Sequence, residues 1–376
     1  MMLNQSHIDI FLILVAFFLG AIIVAFSIPP IVRIANAKNL IDELGDRKIH
    51  KKAVPSLGGV AIFIGVILST IISSNGYSFD VLKYIIAAVI IMFFIGLKDD
   101  IMAISAYKKF TLQILASLIL IYMGDVRITD YQGLFGIHEI NYFLSIITSV
   151  FLIVVIINSF NFIDGVDGLA SGIAIVSSVV YGIWFYLSGN IEYSILCFAL
   201  SGSLISFFYF NVFGKSNKLF MGDSGSLIIG IILSVATIKF IELNNVKSDF
   251  SVSAAPAVAF GILIIPLIDI FRLFFVRIFN GKSPFTPDTN HLHHCILRLN
   301  KIHLKTTLIT ITINIIFIVI AFGLSIAGLN VNLLLGILFV LGLFIVTIPY
   351  FILPHQKRTI YRYLYRRMRK VASFFY

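Results

Sequence analysis

Long apolar stretches alternate with short polar segments from one end of the chain to the other. A helix that crosses the hydrocarbon core of a bilayer needs about 20 mostly apolar residues. Stretches of that kind occupy 8–28, 57–74, 81–98, 109–123, 142–158, 168–188, 191–210, 225–242, 254–279, 307–328 and 331–353. The pattern predicts an all-α fold: a polytopic membrane helical bundle of about eleven transmembrane helices. The second and fourth stretches are short enough to be tilted, buried or re-entrant. The ninth carries Pro266, Asp269 and Arg272, which reads as a kinked helix with a local Asp-Arg pair. One segment has another rhythm. In 124–141, GDVRITDYQGLFGIHEIN, β-branched and polar residues alternate on either side of Tyr-Gln-Gly, predicting a small extracytoplasmic β-hairpin that turns at those three residues.

No polar stretch is long enough for a second globular unit. The expected organisation is one integral membrane domain over 1–354 and a basic amphipathic cytoplasmic tail over 355–376. In that tail Ile360, Leu364 and Val371 fall near one side of a helix with arginines around the rest, as in a helix lying in the membrane interface. The first apolar stretch is too long for a signal-peptide core and has neither a basic flank before it nor a small-residue cleavage site after it, so it is expected to stay as an anchor.

Composition sharpens this reading. With 59% hydrophobic residues, 12% charged ones and a mean hydropathy of +1.02, the 376 residues could not hide their apolar surface inside a water-soluble globule. Net charge is +10, and its placement matters more than its size. With the N-terminus outside, all Lys and Arg except Lys83, Arg127, Lys239 and Lys247 fall on the cytoplasmic side of a plasma membrane. A basic inner surface suits anionic lipid and phosphorylated substrates, and no nucleic acid need be invoked. Two cysteines, Cys197 and Cys295, imply no disulfide framework.

The inner loops hold the chemistry. Asp99 and Asp100 end the third stretch in GLKDD. Adjacent carboxylates repel and stay ionised most easily beside a cation, and Mg²⁺ takes one or two carboxylates while leaving positions for substrate phosphates. In Asn158-Ser-Phe-Asn161-Phe-Ile-Asp164-Gly-Val-Asp167-Gly168, polar residues recur every third position, a drifting stripe if the segment is helical. In FMGDSGSL, Asp223 precedes a predicted helix whose free amides suit an anion; the lesser alternative is that it is simply that helix's N-cap. PDTNHLHH gathers His291, His293 and His294. A zinc site with Cys295 is disfavoured by the adjacency of these residues, and hydrogen bonding to phosphate or sugar is the better reading. The run Arg47, Lys48, His50, Lys51, Lys52, which ends in Pro55 and Gly58-Gly59, could grip a lipid phosphate or a nucleotide diphosphate.

Taken together, RKIHKKAVPSLGG, GLKDD, NSFNFIDGVDGLA, FMGDSGSL and PDTNHLHH resemble, in order, the motifs of the polyprenyl-phosphate N-acetylhexosamine-1-phosphate transferases. This family includes the initiating enzymes of O-antigen and teichoic acid synthesis and, more distantly, the phospho-N-acetylmuramoyl-pentapeptide transferase. The resemblance spans roughly residues 30–300. It implies transfer of a sugar 1-phosphate, N-acetylglucosamine 1-phosphate above all, from a UDP-sugar to undecaprenyl phosphate, with Mg²⁺ or alternatively Mn²⁺ as cofactor. By the same resemblance Asp99, Asp100 and Asp223 are the metal group, with Asp99, Asp100 and Asp164 catalytic. Asn161 lines the metal and phosphate site. Asp167, Asn211 and Phe220 hold the uridine, and His291, His293 and His294 lie near the sugar nucleotide. Arg47, His50, Lys51 and Lys52 complete the substrate contacts, membrane lipid is the surrounding partner, and a homodimer is left open. Ala103 stands where many relatives carry a third acidic residue. The rival class is a multi-pass transporter with a polar site on the cytoplasmic side; its site should lie near the midplane between repeated halves, whereas these motifs crowd at helix ends.

Overall fold

The computed structural model describes residues 2–38, 54–74, 77, 80–244, 250–279, 281 and 291–352. Arg47, His50, Lys51, Lys52 and the boundary at 354 with its basic tail lie outside the described residues. The helices are α1 (Met2–Ala37), α2 (Gly58–Ser73), α3 (Leu82–Ile101), α4 (Ala106–Gly124), α5 (Tyr142–Ile163), α6 (Leu169–Leu187), α7 (Ile191–Phe213), α8 (Gly222–Leu243), α9 (Ala255–Ile262), α10 (Ile264–Phe279), α11 (Leu292–Asn300), α12 (His303–Ile326) and α13 (Val331–Ile352). The strands β1 (Asp130–Leu134) and β2 (Ile137–Glu139) pair antiparallel between α4 and α5.

Every one of the eleven apolar stretches is helical, but the count of eleven spans is not reproduced. Among the described residues, eight helices are long and apolar enough to cross a membrane. The stretch over 254–279 makes a ninth only as a broken pair, α9 and α10, which meet at 84°. The 16-residue α2 is too short, and α3 carries Lys83, Lys98, Asp99 and Asp100 within its 20 residues. The chain is a multi-pass membrane protein.

The break in the ninth stretch falls at Leu263, three positions before the proline expected to cause it. The ring of Pro266 excludes the carbonyl of the residue four positions back, Ile262, from a helical bond. Asn314 Nδ2 (3.1 Å) and Ser177 Oγ (3.3 Å) donate to that carbonyl instead, so the freed backbone group is satisfied inside the bundle. The hairpin is present but turns later than the sequence suggests. Phe135 (φ 55°) and Gly136 (φ 76°) make the reversal with Leu134 opposite Ile137, while Gln132 and Gly133, also at positive φ, form an irregularity within β1. Two consecutive left-handed residues match the twist of a tight hairpin.

At the centre stands α8, apolar on all sides and buried along nearly its whole length against α2, α3 and α5. A helix without a polar face is stable only when fully surrounded. Its N-terminus is therefore fixed in space by its neighbours, and that is where the polar motifs meet.

Candidate active site

Gly222 opens α8 with φ +72°, a conformation glycine adopts without strain, and a Cβ here would lie 2.6 Å from both carboxylate oxygens of Asp100. On α3, a Cβ at Gly96 would strike the backbone of Asp223 and Ser224. These two glycines let α3 lean directly on the start of α8. Asp100 then accepts hydrogen bonds from the amides of Asp223 (2.6 Å) and Ser224 (3.1 Å) and from Ser224 Oγ (2.6 Å). The anion expected at this N-terminus is thus the protein's own Asp100 carboxylate. Asp223 is not the N-cap; it sits in the first turn with its side chain directed elsewhere.

The Asp223 carboxylate accepts from Asn161 Nδ2 on one oxygen and from Lys109 Nζ (2.8 Å) on the other. Lys109 also reaches Asp99 Oδ2 at 3.1 Å, and the second oxygen of Asp99 accepts from the Ile104 amide at 2.6 Å. Asp164 follows immediately after α5. Burial, reinforced by the charges of Asp223, Asp100 and Asp167, pushes its carboxyl up to about 8. The four residues of the Asn158–Asp167 stripe do not share one helical face, because α5 ends at Ile163 and Asp164 and Asp167 lie in the turn beyond it. Asn158 instead pairs with the buried Gln113, donating Nδ2 to Oε1 at 2.7 Å.

Asp99 and Asp223 share one ammonium, that of Lys109, and the Asp164 carboxyl lies within the field of Asp223 and Asp100. Such a set calls for further positive charge, and its oxygen donors are those preferred by a hard cation such as Mg²⁺. Asp100 offers less to an ion, since both its oxygens are engaged by α8. Ala103 lies exposed after the end of α3.

A second group adjoins the first. Lys218 Nζ lies 2.7 Å from Asp167 Oδ2 and 6.0 Å above the centre of the Phe220 ring, and His303 Nδ1 lies 3.4 Å from the same Asp167 oxygen. Asn211 is buried with its amide fully used: Oδ1 accepts from the Gly168 amide (2.6 Å) and Nδ2 donates to the Leu219 carbonyl (2.8 Å). It stitches the 164–168 turn to the segment carrying Phe220. The Phe220 amide donates to the Pro55 carbonyl (2.8 Å), and the amides of Gly58 and Gly59 donate to the carbonyls of Phe220 and Met221 (2.9 Å each). The segment after the basic run is thereby held against this group, although the basic residues themselves lie outside the described residues.

The histidines form a third group. His291 and His293 stack with ring centres 5.3 Å apart. His293 is fully buried beside Gly165, where a Cβ would come within 2.7 Å of its Nε2. Burial, with His294 and His291 adding to it, holds the His293 imidazole well below its ordinary range and so neutral. Asp269 is paired as expected with Arg272 (3.1 Å), but it also accepts from the Leu292 amide (2.9 Å) and lies 3.0 Å from His291 Nδ1. Ligand atoms of Asp269, His291 and His293 fall within 4.8 Å of one another, a geometry that could hold a metal ion. The partner for zinc suggested by sequence, Cys295, is buried in α11 and is not in this set.

Sequence reading overlooked Lys109, Lys218, His303 and the Asp269–His291 pairing. Lys108 and Lys109 look like topology determinants, and only the third dimension returns Lys109 to Asp99. A signal did exist in Asp269, an acidic residue in the middle of an apolar stretch.

Between α4, α5 and α10 runs an apolar groove of about 540 Å³, whose polar end is marked by Asn158, Phe162 and Arg277. Asn161, on Asp223, lies one turn or less from Asn158 and Phe162. The guanidinium of Arg277 sits 5.8 Å over the Phe162 ring, which in turn lies 5.8 Å from the His291 ring.

Residues 82–241, from α3 through α8, match the model of glycosyl transferase family 4. Over 300 residues the chain is 30% identical to an undecaprenyl-phosphate alpha-N-acetylglucosaminyl 1-phosphate transferase of Yersinia pestis, covering 79% of this chain and 77% of the relative. The chain belongs to glycosyl transferase family 4. The protein of the same name from Escherichia coli K12 is 29% identical over 280 residues, 71% of each chain. A decaprenyl-phosphate N-acetylglucosaminephosphotransferase of Mycobacterium tuberculosis is 29% identical over 313 residues, 77% of each. The family match contains the acidic group and most of the Asp167 group, whereas the histidine group lies beyond residue 241.

Proposed function

We propose that this protein transfers N-acetylglucosamine 1-phosphate from its UDP derivative to undecaprenyl phosphate, releasing UMP. The observation that carries this reading is the meeting of a membrane-depth apolar groove with a carboxylate cluster built around Lys109. One compartment suits a polyprenyl chain and the other a cation with two phosphorylated groups. Relatives named for this reaction support it. A transporter lacks such support, and the polar groups here sit at helix ends.

In a single displacement, an oxygen of the acceptor phosphate bonds to the sugar-bearing phosphorus of the donor as the bond from that phosphorus to the bridging oxygen breaks, so that UMP leaves with the electron pair. Asp99 and Asp223, with Asp164, would hold Mg²⁺ or Mn²⁺. Bound there, the ion supplies neutralisation of the diphosphate charge. Lys109 bridges Asp99 and Asp223 and orients both. Asp100 fixes the start of α8 and hence the direction of Asp223, a positioning role. Asp99 accepts the residual acceptor proton. Phe220 offers a stacking face to uracil, Asp167 and Lys218 border it, and His291 and His294 address the sugar phosphate from the opposite side. The lipid chain lies along the α5–α10 groove. Arg47, His50, Lys51 and Lys52 steady substrate phosphates. The motif end faces the cytoplasm of a plasma-membrane enzyme, as the distribution of Lys and Arg favours.

The test is to supply purified enzyme with undecaprenyl phosphate, Mg²⁺ and a panel of radiolabelled UDP-sugars. Labelled lipid with UDP-N-acetylglucosamine is expected; no labelled lipid with any donor would overturn the reading. Orientation is checked separately by Ser216→Cys, which only membrane-permeant thiol reagents should reach in intact cells.

A further inference from the structure

The position of Lys109 is not explained by its own helix. It lies one turn into α4, where free amides already give the helix end positive character, so an ammonium there does nothing for the helix. Its nitrogen divides itself between two carboxylates, 3.1 Å from Asp99 Oδ2 and 2.8 Å from Asp223 Oδ2.

The opposite oxygen of each carboxylate is taken by the fold. Asp99 Oδ1 accepts from the Ile104 amide (2.6 Å), and Asp223 Oδ1 accepts from Asn161 Nδ2. Of these two residues, what remains for an incoming ion is Asp99 Oδ2 and Asp223 Oδ2, the same two atoms that Lys109 holds. Mg²⁺ binds carboxylate oxygen at about 2.0–2.1 Å. An ammonium cannot keep its place against both oxygens once a dication has taken them, because the two like charges would lie within a few ångströms of each other.

The surrounding frame does not depend on the ammonium. Each carboxylate keeps its second partner, and one turn further along α4 the Gln113 Oε1 accepts from Asn158 Nδ2 (2.7 Å), fixing α4 against the helix that carries Asn161. Beside Lys109 the α3–α4 turn is open, with Met102, Ala103 and Ser105 exposed, so a flexible lysine stem can carry its charge into water. The Asp223 side chain is 31% exposed against 13% for Asp99, which gives an ion its approach from the Asp223 side.

Building on the proposed binding of a divalent ion by the aspartates, we infer that Lys109 is a built-in stand-in for that ion: its ammonium occupies the ion's carboxylate oxygens in the ion-free protein and is displaced when the ion binds. The device keeps two neighbouring carboxylates ionised and aimed inward before the ion arrives. Entry of the ion then exchanges one positive charge for two, and the lysine amine passes from an ion pair to water.

The amine itself provides the readout. Purified wild-type protein is treated with an amine-acylating reagent with and without Mg²⁺, no substrate being present, and the modified lysines are quantified by mass spectrometry. Mg²⁺ should raise acylation of Lys109 severalfold and leave the exposed Lys108 unchanged; in Asp223→Asn the Mg²⁺ response should be lost. Mn²⁺ affinity, measured by electron paramagnetic resonance, should tighten about fivefold in Lys109→Met, on the scale of an ion pair that no longer competes. If the wild type binds Mn²⁺ while Lys109 acylation stays level or falls with Mg²⁺, the ammonium remains in place and the inference alone is overturned; weaker Mn²⁺ binding in Lys109→Met has the same consequence. A wild type that binds no Mn²⁺ overturns the assignment of the ion to the aspartates and the inference with it. Should Lys109→Met fail to fold, acylation of the wild type decides.

Discussion

Two clusters at the same end of the bundle could each attract a metal ion, and their construction differs. Around Asp223 the donors are carboxylate oxygens: Asp99 shares the Lys109 ammonium with it, and Asp164 lies within its field. Around His293 they are two imidazoles and one carboxylate, and that carboxylate already serves Arg272 and the Leu292 amide. The first set has an excess of negative charge and oxygen donors, the environment of Mg²⁺. The second has its one negative charge matched by a guanidinium, and its carboxylate lies 3.0 Å from His291 Nδ1, an arrangement that orients the imidazole. Closeness of potential ligands is therefore a weaker guide to a cation than the balance of charge among them.

The sharpest way to break this contrast is Asp223→Asn, which removes one carboxylate charge while leaving the helix start intact. Transfer should fall by about a thousandfold with unchanged thermal stability; near wild-type turnover would remove Asp223 from the chemistry. Asp100→Ala should cost about a hundredfold in kcat with little change in donor KM, because it releases α8 without touching substrate, and Asp100→Asn should recover part of the loss. Asp269→Asn unties His291, and a fall of roughly tenfold to thirtyfold in kcat/KM is expected, with the Mg²⁺ requirement unaltered. An altered metal requirement in that variant would reverse the assignment of the two clusters. Phe220→Ala should weaken donor binding by about 1–2 kcal/mol if stacking is lost, measured as UDP-sugar affinity. The smallest effect is on stability. The carboxyl of Asp164 is raised to about 8 in the metal-free protein, so its contribution is complete at acidic pH and is lost as pH rises through about 8. Melting temperature without metal should decline between about pH 4 and pH 8 and level off above, and saturating Mg²⁺ should flatten the slope.

Much of this arrangement was legible in the chain. Apolar stretches of bilayer length located each helix, since lipid leaves few other conformations open. The motif residues Asp99, Asn161, Asp164 and Asp223 could be singled out because charge and amide groups at the ends of apolar helices are costly. Partnerships were not legible. Asp100 differs from Asp99 only by facing α8, and nothing in Asp-Asp says which member caps a helix 120 residues later. Lys109 and His303 look like ordinary helix-end residues until α3, α4 and α12 are packed. The regular spacing of Asn158, Asn161, Asp164 and Asp167 suggested one helical face, yet Gly165 and Gly168 let the chain leave the helix at Ile163 and send two of them into a turn. The span count failed where composition is ambiguous, at a 16-residue helix and at one broken by Pro266.

The central claim, that the aspartates and not the histidines hold the ion needed for transfer, is tested most directly by Mn²⁺ binding to the purified protein, followed by electron paramagnetic resonance in wild type, Asp223→Asn and His293→Gln. Tight binding retained in His293→Gln and lost in Asp223→Asn is predicted. Binding lost in His293→Gln and retained in Asp223→Asn would contradict the account.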